Sequence, residues 1–510
     1  MAMSKGLFGE KIDTLGIAVD SATLNEDTSA LSNLADEADS LLKIEPPPNQ
    51  VEIARIHYTL GNVHCALHQT RTHASDEKWN WEDDGLDKQI VHYRRALHYE
   101  HTEGELRAWT CQAATNLGNL MDRLGRPVEA IQYWDKALEI DSSFGMALGN
   151  KGLGLCTYSR HLHDSDHQLM FLGTARKLLN LAVSLPLYPE AKKPFADMAA
   201  YILKWAGTEL PDISQTKTSP LGKSKAERDY RTWCIDNRLF LNPLNDLGNY
   251  TIAATDILSL PPMIRPVREG MPVHFGFFSH LKQEYVSARL LLYSGLTDSR
   301  PHFSDRHTFL FNTLDYPVYA LANEKVKTAF RTAYSILDKI GFFLNDYFAL
   351  GIPENKISFR GLWFDDPRKG RNPNLRAVFK DRRNPPLRGL FWLSRDLYED
   401  SDWFRDALQD DARQLREIRN HLEHKYLKVH QSFSKSLIGT PIFDDHLCSS
   451  IDRARFEEMT SGLFKMVRCA LIYLCLAVQI EEESKRSKLE QDGTPLPSVH
   501  ADIWEDDWKF

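Results

Sequence analysis

The sequence predicts an all-α protein with an N-terminal helical repeat and a C-terminal four-helix bundle. In the first 200 residues, small and aromatic residues recur with a 34-residue period, and four later segments carry apolar residues at helical spacing. We expect a repeat domain at 1–206, a linker at 207–226, a bundle with an entry segment at 227–484, and a flexible acidic and aromatic tail at 485–510.

Composition limits the classes of function. With 510 residues, 42% of them hydrophobic, the chain can bury the cores of two or three domains. Its net charge of −8 excludes a global attraction to nucleic acid or anionic membrane, so an RNA site must be a local basic patch. The N-terminus lacks the apolar run of a signal peptide, and the most apolar segment, 469–480, is too short to span a bilayer and is predicted to be a buried helix. We therefore predict a cytoplasmic protein without a membrane partner.

The repeat is clearest between residues 117 and 152. One copy has a Leu-Gly pair in its first helix and spaced Ala and aromatic residues in its second: Leu117, Gly118, Ala130, Trp134 and Ala137. Gly152 follows 34 residues after Gly118, and an earlier copy with an insertion begins at Gly61. This pattern resembles tetratricopeptide (TPR) repeats, three to five of which would fill roughly 50–205. The resemblance implies a concave groove for a peptide or protein partner, and a plain spacer role remains open.

Histidines are concentrated in two of these repeats. They are His57, His64 and His68 in the first, and His161, His163 and His167 with Asp164 in the third. His64 and His68 stand four apart, a spacing that suits metal ligands on a helix, but no third ligand is placed by spacing. The seven cysteines include no C-x-x-C pair. We predict no metal and no cofactor.

The bundle is predicted from four helical patterns, at about 279–294, 322–350, 396–431 and 451–484. In the third pattern, an apolar residue recurs every seven positions: Leu408, Leu415, Leu422 and Val429. At about 100° per residue, Arg419 lies beside this stripe, whereas Asn420 and His424 lie about 160° from Leu422. These two side chains must therefore face solvent, a ligand or another protein surface.

Arg419, Asn420, three further residues, His424, one residue and Tyr426 form a pattern that resembles the signature of HEPN domains. These are helical bundles, many of which are metal-independent ribonucleases that act as dimers. The resemblance implies that Arg419, Asn420 and His424 are catalytic. It also assigns supporting roles to Glu423, Tyr426 and Asp346, with Asn345 or Asp346 orienting Arg419.

The chemistry suits these residue types. RNA is cut without metal when a base removes the proton of a 2′-hydroxyl that attacks the adjacent phosphate, while the leaving 5′-oxygen is protonated. Histidine titrates near neutrality, and the planar guanidinium of arginine matches phosphate oxygens. In the alternative interpretation, Arg419 pairs with Glu423 and His424 is an ordinary surface residue.

A basic segment, 366–395, runs into the third pattern. It holds nine basic residues, namely Arg368, Lys369, Arg371, Arg376, Lys380, Arg382, Arg383, Arg388 and Arg395. Its four prolines predict an extended loop insertion. We expect RNA phosphates to contact five of these side chains, Arg376, Lys380, Arg382, Arg383 and Arg388. Three nearby aromatic residues are candidates to stack bases, Trp363, Phe379 and Trp392. A solvated loop without function is the alternative.

Together, these observations predict a metal-independent endoribonuclease that dimerises through its HEPN domain and is regulated through its TPR domain. HEPN relatives commonly serve as toxins or antiviral effectors, which is the setting that the resemblance implies. The alternative is a non-catalytic, dimeric adaptor that binds RNA or protein. The tail, with its acids and tryptophans, is expected to dock on the basic segment or to pack on the outside of the helices.

Overall fold

The computed structural model describes most of the chain. The described residues are 8–74, 79–98, 106–206, 210–216, 218, 220–266, 273–298, 300–311, 313–366, 374–398, 410–431, 446–496, 504 and 506–509. Helices dominate this part of the chain, and its only sheet has two strands. The predicted all-α class is confirmed.

The N-terminal half of the described chain contains ten α-helices. They are α1 (Gly9–Leu24), α2 (Thr28–Leu41), α3 (Gln50–Ala74), α4 (Asp84–His98), α5 (Leu106–Arg123), α6 (Pro127–Ile140), α7 (Gly145–Ser159), α8 (Ser165–Val183), α9 (Pro189–Ala206) and α10 (Lys225–Asp236). Consecutive helices pack as pairs, α3 with α4, α5 with α6 and α7 with α8. A Cβ on Gly118 would come within 2.6 Å of the Trp134 indole, so this glycine lets α5 and α6 approach closely.

The described residues of the C-terminal half form six further helices and the two strands. They are α11 (Val273–Thr297), α12 (Leu321–Tyr347), α13 (Ala377–Lys380), α14 (Pro385–Tyr398), α15 (Asp410–His424), β1 (Tyr426–His430), β2 (Cys448–Asp452) and α16 (Arg453–Gln491). Helices α11, α12, α14 and α15 pack around α16. The predicted helices at 279–294, 322–350 and 451–484 correspond to α11, α12 and α16.

The predicted helix at 396–431 is wrong at both ends. Its first residues belong to α14, and Tyr426–His430 forms β1, which pairs in parallel with β2. Leu427, Lys428, Val429 and His430 are all buried, so both faces of this strand are covered after Tyr426. The seven-residue spacing from Leu422 to Val429 continues across the end of α15, which is why periodicity alone merged a helix with a strand. Leu408 lies outside the described residues.

Helix α16 is the centre of the C-terminal half. It is long and apolar enough to cross a membrane, and within the described residues 78% of its most apolar 18-residue window is buried inside the fold. This matches the prediction that 469–480 is a buried helix. The helix continues to Gln491, so the start of the predicted flexible tail is helical. Further on, Trp504 and Trp508 are exposed with ring centroids 5.8 Å apart, and Asp506 lies near Arg231 of α10.

One hydrophobic core runs through both halves of the chain. It extends from Trp81, ahead of α4, to Val478 in α16, and a smaller second core joins α1, α2 and α3. The Trp81 ring packs against Phe379 and Phe391, each with its centroid 5.8 Å away. Ile213, in the predicted linker, is also buried in this core.

Buried ion pairs reinforce the same contact between the two halves. The Asp396 carboxylate of α14 lies 2.8 Å from the Arg94 guanidinium of α4 and 2.6 Å from Arg126, which precedes α6. Burial alone would raise the pKa of Asp396, but Arg126 and Arg94 hold it at about 2. At the neighbouring corner between α5 and α6, Gly125 meets α14 so closely that a Cβ would lie 1.8 Å from the Pro385 carbonyl oxygen.

Candidate active site

The candidate site is built on α15, whose two faces differ as the sequence predicts. Leu415, Ile418 and Leu422 are buried against α12, α14 and α16. Asn420 and His424 are exposed, and neither side chain makes a hydrogen bond within the described part of the chain. The apolar stripe therefore anchors the helix and leaves these two polar side chains uncovered.

Arg419 lies at the edge of the packed face and contacts α12. Its guanidinium is 3.7 Å from the Asp338 carboxylate and 5.6 Å from the centroid of the Tyr334 ring, with 38% of the side chain exposed. Burial raises the pKa of Asp338, while the Phe359 amide and Arg419 favour the charged carboxylate. The guanidinium is thus held between a carboxylate and an aromatic ring, with part of its surface open to a ligand.

The expectation that Asn345 or Asp346 orients Arg419 is wrong. Along α12, Asp346 lies eight residues, or about 12 Å, beyond Asp338. Asp346 instead lies 3.0 Å from the His274 imidazole of α11, and the Asn345 side chain bonds to the backbone of Ile352. The residue that sequence reasoning missed is Asp338. Asp338 follows Tyr334 by four residues, but the sequence does not reveal which turn of α12 meets α15.

The end of α15 is capped by one basic side chain and by one backbone amide. The Arg331 guanidinium of α12 donates a hydrogen bond to the Leu422 carbonyl, and the Lys425 amide donates to the His421 carbonyl at 3.0 Å. Cations suit this end of a helix, where unpaired carbonyls carry partial negative charge. The cap fixes the last turn, which carries His424, immediately before the chain turns into β1.

Tyr426 is the first residue of β1 rather than a helical residue. Its amide donates to the Leu447 carbonyl at 3.1 Å, and its side chain is 44% exposed. The Lys428 ammonium lies 5.8 Å from the Tyr426 ring and 2.6 Å from the Asp315 carboxylate. The signature thus spans a helix end and a strand start, so the position of Tyr426 relative to His424 is set by backbone pairing.

Arg419 and His424 do not converge within one chain. Five residues apart on a helix, their side chains differ by about 140° in direction. Arg419 faces α12 while His424 is exposed, in agreement with that angle. Glu423 is also exposed, and the ion pair that the structure gives Arg419 is with Asp338. A phosphate held by both residues requires either a substrate that wraps the helix or a second α15.

The basic segment is not an extended loop where the structure describes it. Arg368, Lys369 and Arg371 lie outside the described residues, but α13 and α14 occupy most of 377–398. Pro385 is the first residue of α14, a position that proline favours in helices. The expectation that nearby rings stack bases is also wrong, because all three are fully buried: Trp363, Phe379 and Trp392.

The five predicted RNA contacts are separated by this folding. Arg388 is buried, 5.1 Å from the Trp79 ring, so it is closed to RNA. Arg382 binds Glu481 of α16, and the Arg376 side chain donates to the Leu362 carbonyl at 2.9 Å. Lys380 and Arg383 are exposed. Only these last two remain open positive charges among the five.

Two residues of the first histidine group, His57 and His64, are buried in the helical core with His92 of α4, whereas His68 lies 3.3 Å from the Asp83 carboxylate. His57 and His92 join their Nδ1 atoms at 3.0 Å, and the His64 ring stacks on His92 at 5.4 Å. Burial lowers the pKa of all three, to about 3 for His57, about 4 for His64 and about 2 for His92. Within the residues that the structure describes, no group of three or more His, Cys, Asp or Glu side chains could hold a metal ion.

The decisive observation for classification is that α11 to α16, which include the α15 motif, overlap a known family. Residues 267–481 match the LA2681-like HEPN family model. The match covers less than half of the chain and ends within α16. No curated protein and no solved structure matches this chain.

The HEPN match contains Arg419, His424 and Tyr426, together with Asp338 on α12. It places a HEPN domain in the C-terminal half, as the signature predicts, and a nuclease function is the activity associated with such domains. Helices α1 to α10 lie outside the match, so their resemblance to TPR repeats stays a prediction.

Proposed function

We propose that this chain is a metal-independent endoribonuclease whose site is built on α15 of the HEPN region. The observation that carries the proposal is the uncovered face of α15. There, Asn420 and His424 have no packing role, while Arg419 lies at the edge of the packed face, where Asp338 and Tyr334 hold it about 140° from the direction of His424. Packing of the bundle does not require these side chains, whereas a phosphate site needs exposed groups that can hydrogen-bond and transfer protons.

In the proposed mechanism, His424 removes the proton of the RNA 2′-hydroxyl, which attacks the adjacent phosphorus. The P–O5′ bond breaks, and the leaving oxygen takes a proton from an acid at the site. The products are a 2′,3′-cyclic phosphate and a 5′-hydroxyl. Arg419 binds the non-bridging oxygens, whose negative charge increases in the transition state. Asn420, four residues before His424 on the same face, hydrogen-bonds the substrate.

A dimer supplies the arrangement that one chain lacks. Two HEPN regions related by a twofold axis can bring the exposed face of one α15 against the other. A single phosphate then lies between Arg419 of one copy and His424 of its partner. Mixing the Arg419→Ala and His424→Ala proteins tests this sharing, because each mixed dimer retains one intact pair and recovers cleavage. If cleavage is not recovered after subunit exchange, both residues act within the same copy and the shared site is refuted.

Incubation of the purified protein with total RNA in the presence of EDTA tests the activity. We expect cleavage, and a loss of about 10²–10⁴-fold in rate for His424→Ala and for Arg419→Ala. His421→Ala is the matched control. That histidine sits on the same helix, but its ring bonds to the Glu417 carbonyl at 2.7 Å, so its loss leaves the rate unchanged. Cleavage abolished by EDTA, or products with 5′-phosphates, contradicts the mechanism.

The N-terminal helices favour a regulatory role and support a second candidate function. A groove of about 510 Å³ opens between α1, α3, α5 and α7, lined with one or two asparagines from each of the last three: Asn62, Asn116, Asn119 and Asn150. Amides on successive helices suit a peptide or protein partner. In a toxin or antiviral effector of the cytoplasm, this partner controls the nuclease. In the second candidate function, the chain is a non-catalytic dimeric adaptor. Absence of RNA cleavage under all conditions would favour this second function.

A further inference from the structure

A segment between α11 and α12 lies along β1, the strand that follows α15 in the sequence. We name residues 303–311 and 313–319 the aromatic strap. Its Val318 amide donates to the Val429 carbonyl at 2.8 Å, and its Asp315 carboxylate lies 2.6 Å from the Lys428 ammonium. Asp315 and Lys428 are both buried, so the strap is fixed to β1 by a shielded ion pair.

The strap exposes large apolar side chains to an unusual degree. Seven of them are more than half exposed, and Phe309 and Phe311 reach 96% and 93%. The seven are Phe303, Phe309, Leu310, Phe311, Leu314, Tyr316 and Tyr319. At roughly 200 Å² for a large side chain, they present about 900 Å² of apolar surface. The largest patch on a typical monomer is about 300–600 Å², whereas each partner of a stable complex covers about 800 Å².

Three residues of the strap, two of them among these seven, have an uncommon backbone conformation. His307, Leu314 and Tyr316 have φ angles of +63°, +64° and +52°, in the left-handed region that bulky L-residues rarely adopt. Each such residue costs about 1–3 kcal/mol and persists only where the surroundings enforce it. The strap therefore turns its apolar residues away from the core although burial would stabilise them. A surface that remains apolar at this expense is typical of an interface.

The position of the strap identifies the partner. The strap contacts Lys428, and Lys428 lies near the ring of Tyr426. Tyr426 pairs with the exposed Leu447 and directly follows the last turn of α15, so the strap lies close to the candidate site. A membrane is disfavoured because Arg306 is the single Lys or Arg in the strap, whereas segments that lie on anionic lipid are rich in both. An apolar strap is complementary to another copy of itself, and a second copy is what the candidate site lacks.

We propose that the aromatic strap is the contact between two copies of this chain. The resulting symmetric dimer places the exposed face of α15 in one copy opposite that of the other. The inference rests on the proposed function only for its choice of partner, because the exposure and geometry of the strap do not depend on catalysis. The strap thus provides the apolar area of the interface, and α15 provides its polar centre.

Sedimentation of the full chain across a concentration series tests this. We expect a dimer whose dissociation constant rises at least about 100-fold when Phe309→Asp and Phe311→Asp are combined. The matched control combines Ile17→Asp and Leu24→Asp, two exposed residues of α1, and leaves the dimer intact. At protein concentrations well below the wild-type dissociation constant, the melting temperatures of both variants equal the wild-type value, because none of the four side chains is packed within one chain.

Three outcomes overturn the inference: a wild-type chain that stays monomeric at about 100 μM, a strap variant that dimerises as tightly as wild type, and a monomer that sediments with phosphatidylcholine–phosphatidylglycerol vesicles. RNA cleavage, measured in parallel, separates the two proposals. If the dimer depends on the strap but cuts no RNA, the proposed nuclease activity is refuted and the proposed interface is kept. Cleavage by a dimer that the strap variant does not weaken refutes the interface alone.

Discussion

The C-terminal helices have two polar surfaces of opposite character. Where they meet the N-terminal helices, Asp396 is buried and bound by both Arg94 and Arg126. At the end of α15, by contrast, His424 and Asn420 are uncovered, and the aromatic strap nearby is exposed. The first surface is complete within one chain. The second is open to solvent and available to a ligand or partner, as the proposed function requires.

Replacing Asp396 is the strongest way to break the completed surface. Asp396→Ala leaves two buried guanidinium groups without their shared carboxylate, which costs about 3–5 kcal/mol. We expect a correspondingly lower denaturant midpoint by circular dichroism. The control is Asp197→Ala, which removes an exposed partner of Lys193 and leaves the midpoint unchanged. Equal midpoints for the two variants would mean that the interface ion pairs are not needed for stability.

Gly125→Ala tests how closely the two halves must approach. Gly125 and Gly351 both have positive φ, +80° and +67°, but only Gly125 has a backbone oxygen in the path of a Cβ. Gly351→Ala therefore measures the conformational cost alone, about 1 kcal/mol. We expect Gly125→Ala to cost about 2–4 kcal/mol because α14 must also move. Similar losses for both variants would show that the corner between α5 and α6 yields easily.

Acid gives the mildest test of the same surface. Because the folded pKa of Asp396, about 2, lies below the ordinary value of 3.8, its contribution is fully present above about pH 4 and is lost as pH falls toward 2. The loss is roughly 2 kcal/mol at about 1.4 kcal/mol per pKa unit. It is measured as the difference between wild type and Asp396→Asn in unfolding free energy at pH 5 and pH 2.5. A constant difference across this range contradicts the assignment.

The sequence predicted the helical class and the exposed face of α15 because both depend on local periodicity. Leu415, Ile418 and Leu422 recur as a helix requires, and their burial leaves Asn420 and His424 outside. The strand at Tyr426–His430 could not be predicted, since its pairing partner lies about 20 residues further along the chain. Because the seven-residue spacing continues across the end of α15, it does not show where the helix ends and the strand begins.

The partner of Arg419 and the fate of the basic segment depend on tertiary contacts. Asp338 is identified only by the way α12 crosses α15, which sequence spacing does not reveal. Arg388 looks like a free loop cation in the sequence, yet α14 inserts it beneath Trp79. The number of basic residues in a segment does not show which arginines are exposed to bind phosphate and which are buried between two halves of a protein.

The shared core also sets an order of events during synthesis. The ribosome completes α4, α5 and α6 long before α14 and α15 emerge, and N-terminal units generally fold first. The surface that receives Trp363, Phe391 and Asp396 is therefore in place before the candidate site is made. A fragment that starts at residue 267 lacks that surface and exposes a charged, aromatic face instead. A chain assembled in this order completes its candidate site only after its N-terminal helices are in place.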